Sequence, residues 1–156
     1  MYKLTLDNSQ NFILGGKADF IVSDINNKDH INFQVRQDVK QKNIYYVKYK
    51  SLDWIYLGYI KTTEVKAEDV VYYLPEFFPV INRVTDQIIQ KSSIFNKMLL
   101  YIYYIQKLPS NIEITYTGRC SICGRKLTDP EYIELGIGKH CLENWKLHTD
   151  RLKYIR

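Results

Sequence analysis

The sequence lacks the features that mark a membrane, secreted or disulfide-stabilised protein. Its longest apolar runs, such as residues 98–105, fall well short of the roughly 20 residues that a membrane-spanning helix needs. No charged segment followed by an apolar one opens the chain, so no secretory signal is visible. Its three cysteines are an odd number, which a disulfide framework does not explain. We therefore expect a cytoplasmic protein without membrane contact, where closely spaced cysteines are more often metal ligands than disulfides.

The common catalytic motifs are missing as well. The sequence has no Gly-x-Ser-x-Gly, no phosphate-binding loop and no paired histidine and carboxylate spacing on a recognisable scaffold. It also shows no internal repeat. Of its 156 residues 46% are hydrophobic, which is enough for the core of one domain with or without a small finger. These observations favour a protein that is not an enzyme. The alternative is an enzyme whose active site matches none of the common motifs.

The chain carries a modest basic excess, with a formal net charge of +5. Residues 1–62 hold nine Lys and Arg against six acids, and residues 109–156 hold eight against six. Residues 63–108 are balanced at five and five. Because the excess is spread over both ends, it does not mark one dense patch. Contact with phosphate backbones and a simply solvated surface are both consistent with it.

Residues 1–62 are predicted to form an antiparallel β-meander. Apolar residues alternate with polar ones in 17–24, 30–36 and 44–50, which is the pattern of strands with one buried face. The run 54–60 is apolar on both faces, which is typical of a strand covered on both sides. An earlier strand at 2–6 would add to the sheet, with Gly15 and Gly16 forming a turn.

One face of the strand 44–50 combines rings and positive charge. Tyr46, Lys48 and Lys50 alternate with the apolar residues of this strand. A protein that binds single strands uses such a face, since bases stack on rings while lysines meet phosphates. The alternative is the solvent-exposed face of an ordinary sheet. It is favoured because no neighbouring strand is predicted to add further aromatic residues to this face.

Residues 63–108 are predicted to be a helical region that packs on the apolar face of the sheet. Residues 61–79 are interpreted as a polar connector with one short helix at 67–74. From Val80 apolar residues recur at helical spacing up to Ile105, and Ser92-Ser93 offers an N-cap that would divide this segment into two helices. Leu108-Pro109 would end the second helix.

Residues 109–156 are predicted to be a zinc-finger-like module that begins with a strand at 112–116. Cys120 and Cys123 stand as C-x2-C before Gly124, and Cys141 follows after seventeen residues. This spacing fits a structural zinc site, and metal binding would supply much of the folding free energy of so small a unit. Asp129 as N-cap and Gly136 as C′ residue bound a short helix, and residues 139–155 form the last one. The layout indicates a treble-clef-like finger.

The sequence does not decide which group is the fourth zinc ligand. His140 is the first candidate, although it is adjacent to Cys141 and neighbouring side chains on a helix diverge. Asp129, a water molecule and a group from outside the module are the alternatives. A catalytic zinc with a bound water lacks a supporting glutamate and histidine pattern. Three buried cysteines without a metal are a further alternative.

The cysteine segment resembles a known domain. Residues 120–130 read CSICGRKLTDP and residues 136–141 read GIGKHC. This is similar to a domain of unknown function in phage and bacterial proteins, with the signature C-x2-CGR-x-LT-x-P, then G-x-G-P and a closing Cys. Lys139 stands where that signature has Pro. The resemblance implies a zinc-binding accessory protein of phage origin, and it implies no reaction.

Basic residues surround the predicted finger and would form its binding surface. Arg119, Arg125 and Lys126 lie beside the first cysteine pair, and Lys146 and Arg151 lie on the last predicted helix. Such a surface suits nucleic acid or a nucleoprotein complex, and equally a solubilising rim. The alternative function is a protein inhibitor of a host factor, such as a bacterial CRISPR-type defence nuclease. The sequence does not predict an oligomeric state.

Overall fold

An antiparallel sheet is the framework of the structure, a computed structural model that describes residues 1–68 and 70–148. Its strands are β1 (Tyr2–Leu4), β2 (Lys17–Asp24), β3 (Asp29–Gln37), β4 (Ile44–Lys50), β5 (Trp54–Ala67), β6 (Val70–Pro79) and β7 (Ile112–Tyr116). Within the described residues these seven strands lie in the order β1-β7-β2-β3-β4-β5-β6. Together with the helices that pack on it, the sheet gives the α+β fold that the sequence predicted.

In the described residues five helical segments accompany the sheet, and the first three of them pack on one of its faces. They are α1 (Leu6–Ile13), α2 (Asp86–Leu100), a π-helical turn (Tyr101–Ile105), α3 (Pro130–Leu135) and α4 (Lys139–His148). The ring of Phe95 in α2 lies 5.1 Å from that of Phe33 and 5.0 Å from that of Phe77, which joins the helix to the middle and the edge of the sheet. No helix of the described residues combines the length and the apolar character needed to cross a membrane.

The predicted meander is confirmed for β2, β3 and β4. Apolar residues at every second position of these strands are buried, among them Phe20, Phe33 and Val47. The intervening polar residues lie on the opposite face. The alternation arises because successive side chains of a strand point to opposite faces of the sheet. These three strands therefore have one helix-covered face and one open face.

The helix α1 has no counterpart among the predicted elements. The strand predicted at 2–6 ends at Leu4, and α1 begins two residues later. Thr5 is its N-cap, and its side chain accepts a hydrogen bond from the backbone N–H of Asn8 at 3.2 Å. A buried hydrogen bond of 2.8 Å from the Gln10 side chain to the carbonyl of Ile102 ties α1 to the π-helical turn.

The prediction of a connector with a short helix at 67–74 was wrong. Strand β5 continues to Ala67 and β6 returns antiparallel to it, so that Tyr59 pairs with Phe78 and Thr63 with Leu74. Glu68 adopts a left-handed conformation (φ 56°) at the end of this hairpin. Acidic residues at the end of a long hairpin are solvated, which gave the segment the polar composition of a loop.

The predicted helices after Val80 also differ from the structure. Helix α2 begins at Asp86, where the Thr85 side chain accepts a hydrogen bond from the N–H of Ile88 at 3.2 Å. The segment before it is not helical, and Arg83 has a left-handed φ of 55°. Ser92-Ser93 does not divide the helix, because Thr85 already provides the N-cap and Ser92 is buried against the sheet.

Strand β7 lies inside the sheet, between β1 and β2. Ile114 pairs with Leu4 on one side and with Val22 on the other. The predicted boundary between residues 108 and 109 thus separates β7 from the sheet to which it belongs, and the one between 62 and 63 falls within β5. The cysteine segment follows directly on this internal strand, the second from the β1 edge, which fixes its place relative to the sheet.

A β-bulge in β5 determines which side chains reach the open face. Lys48 pairs with Tyr56 and Val47 with Gly58, so that Leu57 is the extra residue opposite β4. The bulge shifts the alternation by one, and Tyr56 and Tyr59 come to lie on the same open face while Leu57 is buried. The prediction that residues 54–60 are covered on both sides was therefore wrong.

Replacing the bulge glycine tests this arrangement. A Cβ at Gly58 would lie 2.2 Å from the carbonyl oxygen of Phe78, and its φ of +146° disfavours any other residue. We expect Gly58→Ala to lower the free energy of unfolding by about 2–4 kcal/mol in urea denaturation. The control Thr63→Ala, at an exposed site on the same strand, should change it by less than about 0.5 kcal/mol. Equal stability of Gly58→Ala and wild type would contradict the close approach of β5 and β6.

Candidate functional site

The first two cysteines lie in a tight hairpin that we call the knuckle, residues 118–127. Its arms are joined by hydrogen bonds from the N–H of Cys120 to the carbonyl of Arg125 (2.9 Å) and from Leu127 to Gly118 (2.8 Å). The N–H of Gly124 closes the turn on the carbonyl of Cys120 at 2.9 Å. Gly124 has a φ of +80°, a conformation that glycine adopts without strain, which explains its position directly after Cys123.

The three cysteines converge on one point. The Sγ atoms of Cys120, Cys123 and Cys141 all lie within 4.8 Å of one another. Cys120 is fully buried, and its Sγ accepts hydrogen bonds from the N–H groups of Ile122 and Gly138, each at 3.4 Å. Zinc–sulfur bonds of about 2.3 Å in a tetrahedron place sulfurs about 3.8 Å apart. The cluster could therefore bind a metal ion with little movement.

Ionisation of all three clustered thiols is electrostatically unfavourable, and a bound cation would remove this cost. Burial raises the pKa of Cys141 to about 12, and the adjacent sulfurs of Cys120 and Cys123 add to the effect. Burial also acts against ionisation of Cys123, yet the N–H of Arg125 and the neighbouring thiols hold its pKa below the ordinary value. Ionisation of Cys123 is thus favoured relative to that of Cys141, and negative charge on one sulfur opposes it on the others. A bound metal stabilises all three thiolates at once.

The structure does not bring His140 to the cluster. Its side chain is exposed and its Nε2 lies 3.2 Å from Nδ2 of Asn144, one turn further along α4. Side chains of adjacent helical residues diverge by about 100°, so Cys141 can face the cluster only if His140 faces away. Asp129 is also elsewhere, because its carboxylate accepts a hydrogen bond from the N–H of Glu131 as N-cap of α3. Among the described residues, no fourth cysteine, histidine or carboxylate joins the group.

The knuckle is docked on the sheet and on α1. The N–H of Lys17 donates to the carbonyl of Ser121 at 2.6 Å, and the N–H of Ser121 donates to that of Gly136 at 3.0 Å. A Cβ at Gly15 would lie 2.2 Å from Oγ of Ser121, and one at Gly136 would lie 2.4 Å from the ring of Phe12. Both glycines are therefore required by close approach of the knuckle and α3 to the core.

A second candidate site is the open face of β4 and β5. Tyr46, Lys48 and Lys50 lie there, as the sequence predicted for one side of β4. Strand β5 places an aromatic ring opposite each of them, since Tyr46 pairs with Tyr59, Lys48 with Tyr56 and Lys50 with Trp54. The sequence did not predict this aromatic group, because the apolar run 54–60 indicated a strand covered on both faces. We call this surface the aromatic face: Tyr46, Lys48, Lys50, Trp54, Tyr56, Tyr59 and, from β6, Phe78.

The rings of the aromatic face are accessible and in contact with one another. Tyr46, Trp54 and Tyr56 are 37%, 37% and 38% exposed. The centroids of Tyr46 and Tyr56 lie 6.4 Å apart, and the rings of Tyr59 and Phe78 are stacked at 5.0 Å with planes 18° apart. Surface rings that occur singly are ordinary, whereas several rings grouped on one face make that face a candidate interaction surface.

Charged groups hold some of these rings in place. Nζ of Lys50 lies 5.4 Å from the centroid of Trp54, a cation–π arrangement. The Tyr46 hydroxyl donates to Oδ1 of Asp38 at 2.7 Å. Hydrogen bonds from the N–H of Gln41 and from Tyr46 hold the pKa of Asp38 below its usual value, so this contact is present at neutral pH. The face is thus partly preorganised.

The remaining predicted binding residues lie around the knuckle or beyond the described atoms. Arg119, Arg125 and Lys126 are exposed on the two arms of the knuckle, and Nη1 of Arg119 donates to the carbonyl of Gly124 at 3.2 Å. Lys146 belongs to α4, although its side chain is outside the part of the chain described, and Arg151 lies wholly outside it. The structure therefore brings three of these five basic residues to one small region.

Metal binding by the cysteines predicts that substitution of a cysteine and substitution of His140 affect the metal content differently. We expect the purified protein to carry near-stoichiometric metal by elemental analysis, and Cys120→Ser or Cys141→Ser to lose it, because two thiolates hold a metal far less tightly than three. His140→Ala should retain the metal, since its ring faces Asn144. Retention by Cys120→Ser, or loss from His140→Ala, would contradict the site as described.

The comparisons with known proteins bear on the C-terminal part of the chain. Residues 114–146 match a family described as a family of unknown function (DUF6011). The match begins within β7 and covers the knuckle, α3 and most of α4. No curated protein and no solved structure matches the chain. The cysteine segment is thus similar to an uncharacterised domain, as its motif predicted, and the match carries no statement of phage origin.

Proposed function

We propose that this chain is a non-enzymatic protein that binds single-stranded nucleic acid on the aromatic face, with a structural zinc ion at its three cysteines. The observation that carries the proposal is the direct pairing of a β4 strand bearing Tyr46, Lys48 and Lys50 with a β5 strand bearing three further rings. Rings on which bases stack alternate there with lysines that can reach phosphates.

Zinc is the metal that the donor set favours. Thiolates are soft ligands, and three of them with two backbone N–H groups directed at Cys120 form an environment typical of structural zinc sites. A hairpin with two ligands and a helix with the third in its first turn support the assignment of a treble-clef-like finger. A water molecule or a group from outside the described residues completes the coordination. The role of the site is structural, because it joins the knuckle, which is docked on β2, to the first turn of α4.

Single strands fit the aromatic face better than duplexes do. In a duplex the faces of the bases are stacked on one another, so they cannot stack on protein rings. The exposed rings of Tyr46, Trp54 and Tyr56 lie on adjacent strands, where consecutive bases can meet them. Stacking tolerates any sequence because every base has a π-face. We therefore propose little sequence preference.

Two observations support a binding role over catalysis. In the described residues, the three cysteines are the one cluster of three or more potential metal-ligating groups, and no histidine or carboxylate belongs to it. The residues of the aromatic face are tyrosine, lysine, tryptophan and phenylalanine, and the adjacent carboxylate of Asp38 is engaged by Tyr46 and by the N–H groups of Lys40 and Gln41. The phage association and the inhibition of a host factor stay predictions, since no feature of the described residues favours them.

Removal of one exposed ring tests the proposal. Tyr56→Ala should weaken binding of a fluorescein-labelled oligothymidylate by roughly 5- to 150-fold in fluorescence anisotropy, since stacking of one base contributes about 1–3 kcal/mol. The control is Tyr104→Ala, because Tyr104 is 44% exposed but lies on the helical layer. Equal losses in both variants, or no binding by the wild type, would overturn the proposal.

Salt dependence provides a second test of the same site. Affinity for oligothymidylate should fall as salt rises, and Lys50→Gln should reduce the slope of log K against log salt concentration by about 0.7, the value for one phosphate contact of a single strand. A duplex of the same length should bind more weakly. Binding that is independent of salt would show that the lysines of the aromatic face do not meet phosphates.

A further inference from the structure

A line of directly paired residues crosses the open face at right angles to the strands. Lys17 of β2 pairs with Arg36 of β3, and Arg36 pairs with Tyr46 of β4. Tyr46 pairs with Tyr59 of β5, which pairs with Phe78 of β6. Direct partners in a sheet lie on the same face. We call this line the transverse row.

The transverse row has two chemically different ends. Its β4, β5 and β6 members are aromatic, and its β2 and β3 members are basic. With neighbouring strands about 4.8 Å apart, the row is about 19 Å long. The guanidinium of Arg36 is held by the carbonyl of Ala18 at 3.1 Å and by the carboxylate of Asp19 at 2.8 Å, so it is fixed in position and partly neutralised.

The knuckle lies against the basic end of the transverse row. A Cβ at Gly124 would lie 3.9 Å from Cδ of Lys17, and the N–H of Lys17 is bonded to the knuckle carbonyl of Ser121. Arg125 follows Gly124 directly and is exposed. The positive charge of Lys17 is therefore continued by that of the knuckle, on the side of the sheet where the aromatic face is open.

The neighbouring row does not offer the same path. It runs from Asp19 through Gln34 and Lys48 to Tyr56, so its β2 end carries a carboxylate. A phosphate backbone that followed this row would meet negative charge where the transverse row offers Lys17 and Arg125. The charges of the two rows thus select one path from the rings to the knuckle.

Building on the proposed function, we propose that a nucleic-acid strand follows the transverse row across the sheet and ends on the knuckle. Its bases stack at the aromatic end, and its phosphates continue over Arg36 and Lys17 to Arg125. The knuckle is then one end of the nucleic-acid site rather than only a support. Because Arg125 is placed by the hydrogen bond of its carbonyl to Cys120, the metal-binding turn determines where this end lies.

The length of the bound strand distinguishes this path from binding at the rings alone. An oligothymidylate of about four nucleotides can occupy the aromatic end, whereas one of about twelve can also reach the knuckle. Lys17→Glu and Arg125→Glu should weaken binding of the longer oligonucleotide about tenfold or more and that of the shorter one about twofold or less. Lys107→Glu, an equal charge change at an exposed site after the π-helical turn, is the control.

Rescue and stability measurements complete the experiment. Arg125→Lys should bind the longer oligonucleotide within about threefold of wild type, because it keeps the charge that meets the phosphate. Thermal unfolding of each variant shows whether the fold is intact, and Arg125→Gln provides a milder change if the reversal unfolds the knuckle. Loss of affinity in Tyr56→Ala with unchanged affinity in Lys17→Glu and Arg125→Glu would overturn the path and leave the proposed function standing. Absence of any oligonucleotide binding would overturn both.

Discussion

One-sided coverage of the sheet is the constraint on which the rest of this structure depends. Helices α1 and α2 and the π-helical turn pack on one face, where Phe95 joins Phe33 and Phe77 in a continuous aromatic core. Burial of such a ring contributes several kcal/mol, since truncating a core Phe costs about 3–5 kcal/mol. The opposite face has no such layer in the described residues. Its composition is therefore free to serve binding, and it is rich in rings and lysines.

The same sheet gives the cysteine segment its position. Because β7 lies between β1 and β2, the chain passes directly from an internal strand, the second from one edge of the sheet, into the knuckle. The close approaches at Gly15 and Gly136 and the hydrogen bond from Lys17 hold the knuckle beside the open face. The module has only a small core, in which Cys120 and Ile137 are buried, so its docking contacts contribute to its stability and a metal ion held by the cysteines would add to them. The two candidate sites thus lie at opposite ends of the transverse row.

The sequence predicted those structural features that depend on a few neighbouring residues. The alternation in β2, β3 and β4 indicated their buried faces, and Asp129, Pro130 and Gly136 predicted the bounds of α3 because caps are set within a few residues. The bulge at Gly58 depends on how β4 and β6 pass beside β5, which no short window of sequence shows. The place of β7 in the sheet is likewise a long-range property. The metal-binding chemistry of imidazole predicted His140 as a ligand, although the helical position of Cys141 directs its ring away.

The central claim is that the open face of the sheet stacks on the bases of a single strand, and Trp54 reports on it directly. The chain has two tryptophans, so Trp145→Phe leaves Trp54 as the sole indole emitter. Titration of this variant with oligothymidylate should quench the Trp54 emission in step with the anisotropy of the labelled strand, because a stacked base quenches an indole. Binding that leaves the emission of Trp54 unchanged would place the nucleic acid elsewhere and contradict the account.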